Sequence, residues 1–189
     1  MKTILLILLT TAVIFSFGCS SNNKSSSDKN GNTNTNGTHS NEESWATLDY
    51  HYRTGTVSPE YYYHYRIIIN KDKSAQFIFY PSYADTGYSQ QSYTITDSQL
   101  SSLNSAVTGS KVLTDNISQE SDHPIGGSNQ SLTVTLSQGA DLDQMPKTIS
   151  VPSYPEAKYE AGLENLYKVI EGTLPAGMLE AEKEKKEGN

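Results

Sequence analysis

The chain has little cysteine and little positive charge. Only one of its 189 residues is cysteine, Cys19. A disulfide framework, a zinc site built on cysteines and a thiol nucleophile are therefore excluded from the rest of the chain. Lysine and arginine number 14 against 21 aspartates and glutamates, which gives a net charge of −7. Because no basic cluster lies outside the charged C-terminal residues, this balance predicts that nucleic acid is not a partner.

Tyrosine, in contrast, is plentiful. The chain has 13 tyrosines, against 19% charged and 35% hydrophobic residues overall. This aromatic surplus favours strands over helices. Once the polar and charged ends of the chain are set aside, roughly 130 residues remain, enough for one hydrophobic core but not for two. The sequence therefore predicts a single domain over residues 44–175.

Residues 1–18 have the pattern of a secretory signal peptide. A basic residue, Lys2, precedes an apolar stretch from Ile4 to Phe17, and the small residue Gly18 comes directly before Cys19. The apolar stretch is too short and too close to the N-terminus to predict a membrane-spanning helix. We expect export of the protein with removal of this segment.

The junction Gly18-Cys19-Ser20-Ser21 resembles the lipobox of bacterial lipoproteins, although Ser16 stands where that family usually has leucine. The resemblance implies lipidation of Cys19 and anchoring in the bacterial cell envelope, since several acyl chains together anchor stably. Serine rather than aspartate after the cysteine is similar to the outer-membrane sorting pattern, where the organism has that membrane. The alternative is a plain signal peptide with an incidental cysteine.

Two further segments are too polar to join a core. Residues 19–43 are rich in Ser, Asn, Thr, Gly and Lys and predict a flexible tether, with a mean reach on the order of 25 Å. Residues 176–189 are almost wholly charged from Glu180 to Glu187 and predict a solvated C-terminal tail.

Residues 61–80 predict the central β-hairpin of the domain. Two runs rich in aromatic and β-branched residues flank a polar loop, Asn70 to Ser74. If Ile67 lies opposite Phe77, one face of the pair is apolar throughout; a shift by one residue would mix the faces. We expect burial to select this register and to leave His64, Arg66 and Tyr80 on a more open face.

Two helices are predicted from local signals. Thr96 and Gln99 have the spacing of a capping box, so a helix should begin after Thr96 and end near Gly109. A second helix follows from a stripe of buried residues at helical spacing. The stripe comprises Tyr159, Leu163, Leu166 and Ile170.

The order of elements is four strands, a helix, two strands and a helix. It predicts an α+β fold, with an antiparallel sheet of about six strands and two helices packed on one face. This pattern faintly resembles small α+β domains of unknown function in secreted bacterial lipoproteins. The resemblance implies no activity.

No residues form a recognisable catalytic or metal-binding motif. There is no Gly-x-Ser-x-Gly elbow, and we expect His51 and His64 to be ordinary surface histidines on polar strand faces. The loop with Asp122 and His123 matches neither the EF-hand spacing nor that of a two-histidine zinc helix. We therefore predict no catalytic residue, no metal and no cofactor.

The tyrosines supply the remaining site hypothesis. Tyr62, Tyr80, Tyr83 and Tyr88, together with Tyr50 or Tyr52, could form an aromatic patch on which a sugar or a proline-rich peptide stacks. The alternative is that tyrosine is simply a good strand former. Strand propensity does not explain Tyr83 and Tyr88, because they lie in a predicted loop.

Together these observations favour a lipid-anchored, non-enzymatic binding or interaction module of the cell envelope. Its expected partners are the membrane, through lipid on Cys19, and an envelope glycan or protein. Two alternatives stay open: an envelope hydrolase, and a proteinase-inhibitor-like lipoprotein that presents the loop Ser121 to Ser128.

Overall fold

The computed structural model describes residues 44–123, 125–137 and 145–188. The predicted signal peptide, Cys19 and the predicted tether lie outside these residues. The described part of the chain forms one antiparallel sheet of six strands with three helices, which is a mixed α+β architecture. None of its helices combines the length and the apolar character needed to cross a membrane.

The six strands have the spatial order β4-β3-β2-β1-β5-β6, and every neighbouring pair is antiparallel. The strands are β1 (Trp45–Arg53), β2 (His64–Asn70), β3 (Ser74–Tyr80), β4 (Ser89–Thr94), β5 (Asn129–Leu136) and β6 (Thr148–Val151). The helices are α1 (Asp97–Ser110), α2 (Ala157–Glu171) and α3 (Met178–Glu187).

The hairpin register predicted from the sequence is confirmed. Ile67 lies opposite Phe77 and Tyr65 opposite Phe79, and all four side chains are buried. The strands extend further than expected, to Asn70 and from Ser74, which leaves a turn of three residues between them. Strand β1 continues the same apolar face, because Tyr50 pairs with Ile67 on one side and with Leu132 on the other.

Helix α1 begins at the predicted cap. The Gln99 amide donates to the Thr96 hydroxyl (3.2 Å), and the Thr96 amide donates to the Gln99 side-chain oxygen (2.8 Å). The helix ends at Ser110, one residue after the predicted Gly109, and Lys111 takes the left-handed conformation with φ 60°. The buried Ser110 hydroxyl donates to the Val107 carbonyl and holds this last turn closed (2.8 Å).

Helix α2 buries the predicted stripe and is also tied to the sheet by hydrogen bonds. Tyr159, Leu163, Leu166 and Ile170 are all buried. Near the end of the helix, Glu171 accepts hydrogen bonds from the hydroxyls of Tyr50 on β1 and Tyr65 on β2, each 2.7 Å long. One carboxylate therefore satisfies two tyrosine hydroxyls of the core.

The prediction of two helices is corrected to three, because residues 178–187 form α3 instead of a solvated tail. The reason is a polar contact that hydrophobic periodicity does not reveal. Glu182 is only 4% exposed and accepts hydrogen bonds from Ser89 and Gln91 of β4, each 2.8 Å long. These bonds attach a charged helix to the sheet, so the folded domain extends beyond residue 175.

All three helices contact the same face of the sheet. Their partners are Trp45 for α1, Tyr50 and Tyr65 for α2, and Ser89 and Gln91 for α3. These side chains alternate with those of the opposite face, as the pleat of a strand requires. Among the described elements, no helix contacts the face that carries His64, Arg66 and Tyr80.

We expect Phe77→Ala to lower the free energy of unfolding by roughly 3–5 kcal/mol, because a fully buried aromatic ring would leave a cavity in the core. Denaturant unfolding of the full-length protein measures the loss. The matched control is Gln76→Ala, one residue away on the opposite face, which should cost less than about 1 kcal/mol. Similar losses in both variants would contradict the assignment of faces.

Candidate functional site

A polar cleft lies on the sheet face that the helices leave uncovered. Its volume is about 340 Å³, which falls within the usual size range of small-molecule sites. Its walls are formed by strands β1, β2, β3 and β5 and by the loop between β3 and β4. The lining residues are Asp49, His51, Arg53, His64, Arg66, Tyr80, Asp85, Ser131 and Thr133.

The strand registers bring these residues together. In the pairing of β1 with β2, His51 lies opposite Arg66 and Arg53 opposite His64. The next pairings place Tyr80 opposite His64 and Ser131 opposite His51. Because alternate residues of a strand share a face, one set of backbone pairings collects the charged and hydroxyl groups of four strands in one place.

An ion pair fixes one side of the cleft. The Arg66 guanidinium donates from Nε to Asp49 Oδ1 (3.1 Å) and from Nη2 to Asp49 Oδ2, so the pair is bidentate. The hydrogen bond to Asp49 raises the pKa of Arg66. Both side chains are thus held by one another across β1 and β2.

Two histidines form a hydrogen-bonded pair in the cleft. His51 Nε2 and His64 Nδ1 are 2.9 Å apart. Arg53 Nε donates to His51 Nε2 (3.4 Å), which makes that nitrogen an acceptor and assigns the shared proton to His64 Nδ1. The other nitrogen of His64, Nε2, lies 3.5 Å from Asp85 Oδ1 in the loop between β3 and β4.

The histidine pair is held in the neutral form at neutral pH. Burial, reinforced by the charge of Arg53, lowers the pKa of His51 to about 4. Burial also lowers the pKa of His64, and the opposing attraction of Asp85 is smaller. The expectation of an ordinary surface histidine is wrong for His64, which is 3% exposed because rings on either side enclose it.

Four of the tyrosines predicted as a binding patch lie in one continuous series of ring contacts, which we call the tyrosine ladder. The prediction that Tyr50 or Tyr52 joins them is wrong, because Tyr50 packs in the core and Tyr52 against it, on the other face of the sheet. Its members in order are Tyr83, Tyr62, His64, Tyr80 and Tyr88. Successive ring centroids are 3.6, 5.8, 4.2 and 5.5 Å apart. The sequence did not predict that a histidine would stand in the middle of the series.

The tyrosines of the ladder differ in exposure. Tyr62 is buried and Tyr80 half-buried, so these two rings mainly support their neighbours. Tyr83 and Tyr88 are 50% and 53% exposed and offer aromatic surface to a ligand. Tyr83 is also anchored, because its hydroxyl donates to the Val57 carbonyl and accepts from the Val57 amide.

The ladder and the cleft lie towards one end of the sheet. The ladder is built from the loops that follow β1 and β3 and from the adjoining strand residues His64 and Tyr80, whereas Trp45 begins β1 at the other end. With nine residues in β1 and about 3.3 Å of rise per residue, the two ends are roughly 25–30 Å apart.

The loop with Asp122 and His123, which was considered for metal binding, is held by a ring contact and a hydrogen bond. His123 stacks on Tyr154 with ring centroids 4.9 Å apart, and the Tyr154 hydroxyl donates to the Gly126 carbonyl (3.2 Å). Within residues 44–123, 125–137 and 145–188, no group of three His, Cys, Asp or Glu side chains is placed to hold a metal ion.

A second cavity, of about 330 Å³, lies between α2 and the start of β5. Glu160 and Glu164 line it together with Tyr167, whose buried hydroxyl has no hydrogen-bond partner among the described residues. None of the tyrosines predicted as a binding patch lies there.

Arg53 and Asp85 were not predicted as site residues, and His51 was predicted to be an ordinary surface histidine. The alternation of Asp49, His51 and Arg53 along β1 does place these three on one face, but it gives no sign of Asp85, which lies in a loop. Only the pairing of β1 with β2 brings this face beside His64, and that pairing was not predicted.

We expect the folded protein to lose stability as the pH falls from about 6.5 towards 4. The pKa of His51 is lowered from 6.5 to about 4 by folding, so the unfolded chain takes up its proton first. The charged or titratable groups facing His51 are Asp49, Arg53, His64 and Arg66. Melting temperatures at pH 7.5 and 5 should therefore differ more in the wild type than in His51→Gln. His123→Gln, in the loop before β5, is the control. An equal drop of the melting temperature in all three proteins would contradict this role of His51.

No protein-family model matches this chain, and no curated protein has a significant sequence match to it.

Proposed function

We propose that this protein is a lipid-anchored, non-enzymatic binding module of the bacterial cell envelope, which binds saccharides at the cleft and the tyrosine ladder. The lipid on Cys19 is its contact with the membrane, and an envelope glycan is its ligand. The lipobox-like junction supports the anchor, and the open sheet face supports the binding role.

The observation that carries the binding proposal is the tyrosine ladder beside a polar cleft. A sugar ring has apolar C–H faces that pack on aromatic rings, and hydroxyls that need hydrogen-bond partners. Tyr83 and Tyr88 offer half-exposed rings for packing. The cleft next to them offers hydroxyls from Ser131 and Thr133 and carboxylate oxygens from Asp85. Both needs of a saccharide are met within one continuous surface.

The site is also built on rigid elements, which favours recognition. His51, His64 and Tyr80 lie on strands of the sheet. A hydrogen bond joins the two histidines, and the ring of His64 stacks on Tyr80. Preorganised groups lose little conformational entropy when a ligand binds.

An envelope hydrolase is the second candidate, favoured by one observation. Ser131 lies opposite His51 on the neighbouring strand, and His64 and Asp85 continue the series on the other side of His51. A nucleophilic serine needs a neighbouring histidine as its base, whereas the acceptor nitrogen of neutral His51, Nε2, is already bonded to His64 and Arg53. No hydrogen bond joins Ser131 to His51 within the described residues, so the binding function is the better supported of the two.

The test is a thermal-shift screen of the full-length protein with peptidoglycan fragments and envelope glycans. We expect at least one glycan to raise the melting temperature, and the double variant Tyr83→Ala, Tyr88→Ala to lose that shift because its stacking surface is gone. Tyr61→Ala, which removes an exposed tyrosine outside the ladder, is the matched control and should keep the shift.

Absence of a shift with every glycan, or a shift that survives in the double variant, would refute the binding site. Chromatography of each stabilising glycan after incubation separates the two candidate functions. An intact glycan supports a binding module, whereas cleavage that stops in Ser131→Ala would establish the hydrolase.

A further inference from the structure

The charged groups of the cleft are not all paired with one another. Arg66 and Asp49 form a closed bidentate pair. The carboxylate of Asp85 is exposed and faces His64 at 3.5 Å. For Arg53, however, no carboxylate of the described residues lies within 4 Å of the guanidinium. Arg53 is therefore the cation of the cleft whose charge the described part of the chain leaves unpaired.

The orientation of the Arg53 guanidinium defines the direction from which an anion can approach it. Arg53 uses Nε to donate to His51, and among the described residues no acceptor binds either of its terminal nitrogens. A guanidinium presents its donors as a planar fork that matches the two oxygens of a carboxylate. The bond from Nε holds the fork at the cleft wall while its terminal donors stay available.

Neighbouring groups favour an anion of single charge. Asp49 is occupied by Arg66, and the His51–His64 pair adds no positive charge at neutral pH. One guanidinium then balances one carboxylate, whereas a phosphate monoester carries −1.5 to −2 charges at pH 7 and would leave charge unbalanced. Asp85, at the far side of His64, would also repel a more highly charged group.

From this arrangement we propose that the cleft selects saccharides that carry a carboxylate, and that Arg53 binds the carboxylate while the tyrosine ladder binds the sugar rings. The inference rests on the proposed saccharide-binding function and names the class of ligand. The cleft volume of about 340 Å³ accommodates the acidic sugar unit, and the next unit of the glycan packs on Tyr83 or Tyr88.

Two matched pairs of disaccharides test this inference by isothermal titration calorimetry with the full-length protein. The first pair is N-acetylglucosaminyl-N-acetylmuramic acid and N,N′-diacetylchitobiose, which differ by a lactyl ether with its carboxylate. The second pair is cellobiouronic acid and cellobiose, which differ at one oxidised carbon. In both pairs we expect the acidic member to bind about tenfold more tightly, the usual effect of a charge-assisted hydrogen bond.

The variants separate the carboxylate contact from the rest of the site. Arg53→Gln should abolish the preference, so that the acidic and the neutral member of each pair bind with equal affinity. Arg53→Lys should keep part of the preference, because it retains the charge but not the fork. Lys168→Gln removes the same charge from α2 on the other face and should change nothing. Melting curves of each variant verify folding.

The outcomes distinguish the two proposals. Equal binding of acidic and neutral sugars by the wild type would overturn the carboxylate preference and leave the saccharide-binding function intact. An acidic preference that survives in Arg53→Gln would overturn the role of Arg53. Preference in the first pair alone would narrow the ligand to muramic acid and support the inference for peptidoglycan. Failure of all four sugars to bind would count against the proposed function itself.

Discussion

The pairing of Ile67 with Phe77 is the constraint on which the rest of the structure depends. Side chains alternate between the faces of a strand, so one register decides the content of both faces. In this register the side chains of Tyr65, Ile67, Phe77 and Phe79 lie in the core. The same register places His64 and Arg66 on the open face, beside His51 and Arg53 of β1. A shift of one residue would bury charged groups under the helices and leave no cleft.

The two faces of the sheet are also coupled, because the residues next to His51 and His64 in the sequence point to the core. Tyr50 precedes His51 on β1, and Tyr65 follows His64 on β2. Glu171 accepts a hydrogen bond from each of these tyrosines, and burial raises the pKa of both, so their hydroxyls remain donors. Helix α2 thereby holds β1 and β2 in register on one face, and on the other face this register sets the 2.9 Å distance between His51 and His64.

Local signals in the sequence predicted a large part of this architecture, and non-local contacts account for the rest. The hairpin register, the Thr96 cap and the buried stripe of α2 each depend on residues close together in the chain, and all three are confirmed. Helix α3 was missed because a hydrogen-bonded Glu182 attaches it to β4, about ninety residues away. The tyrosines of the ladder could be named from the sequence, since Tyr83 and Tyr88 have no strand to explain them. Arg53 and Asp85 could not, because their role follows from the pairing of β1 with β2 and from the path of a loop.

An amide NMR titration of the full-length protein with the glycan that stabilises it best would locate the binding site. We expect shift changes centred on the cleft and the ladder, at His51, Arg53, His64, Tyr83 and Tyr88. Leu163 and Tyr167, which line the second cavity beside α2, should remain unchanged. Changes concentrated at that second cavity, with the open face of the sheet unaffected, would contradict the assignment of the binding site.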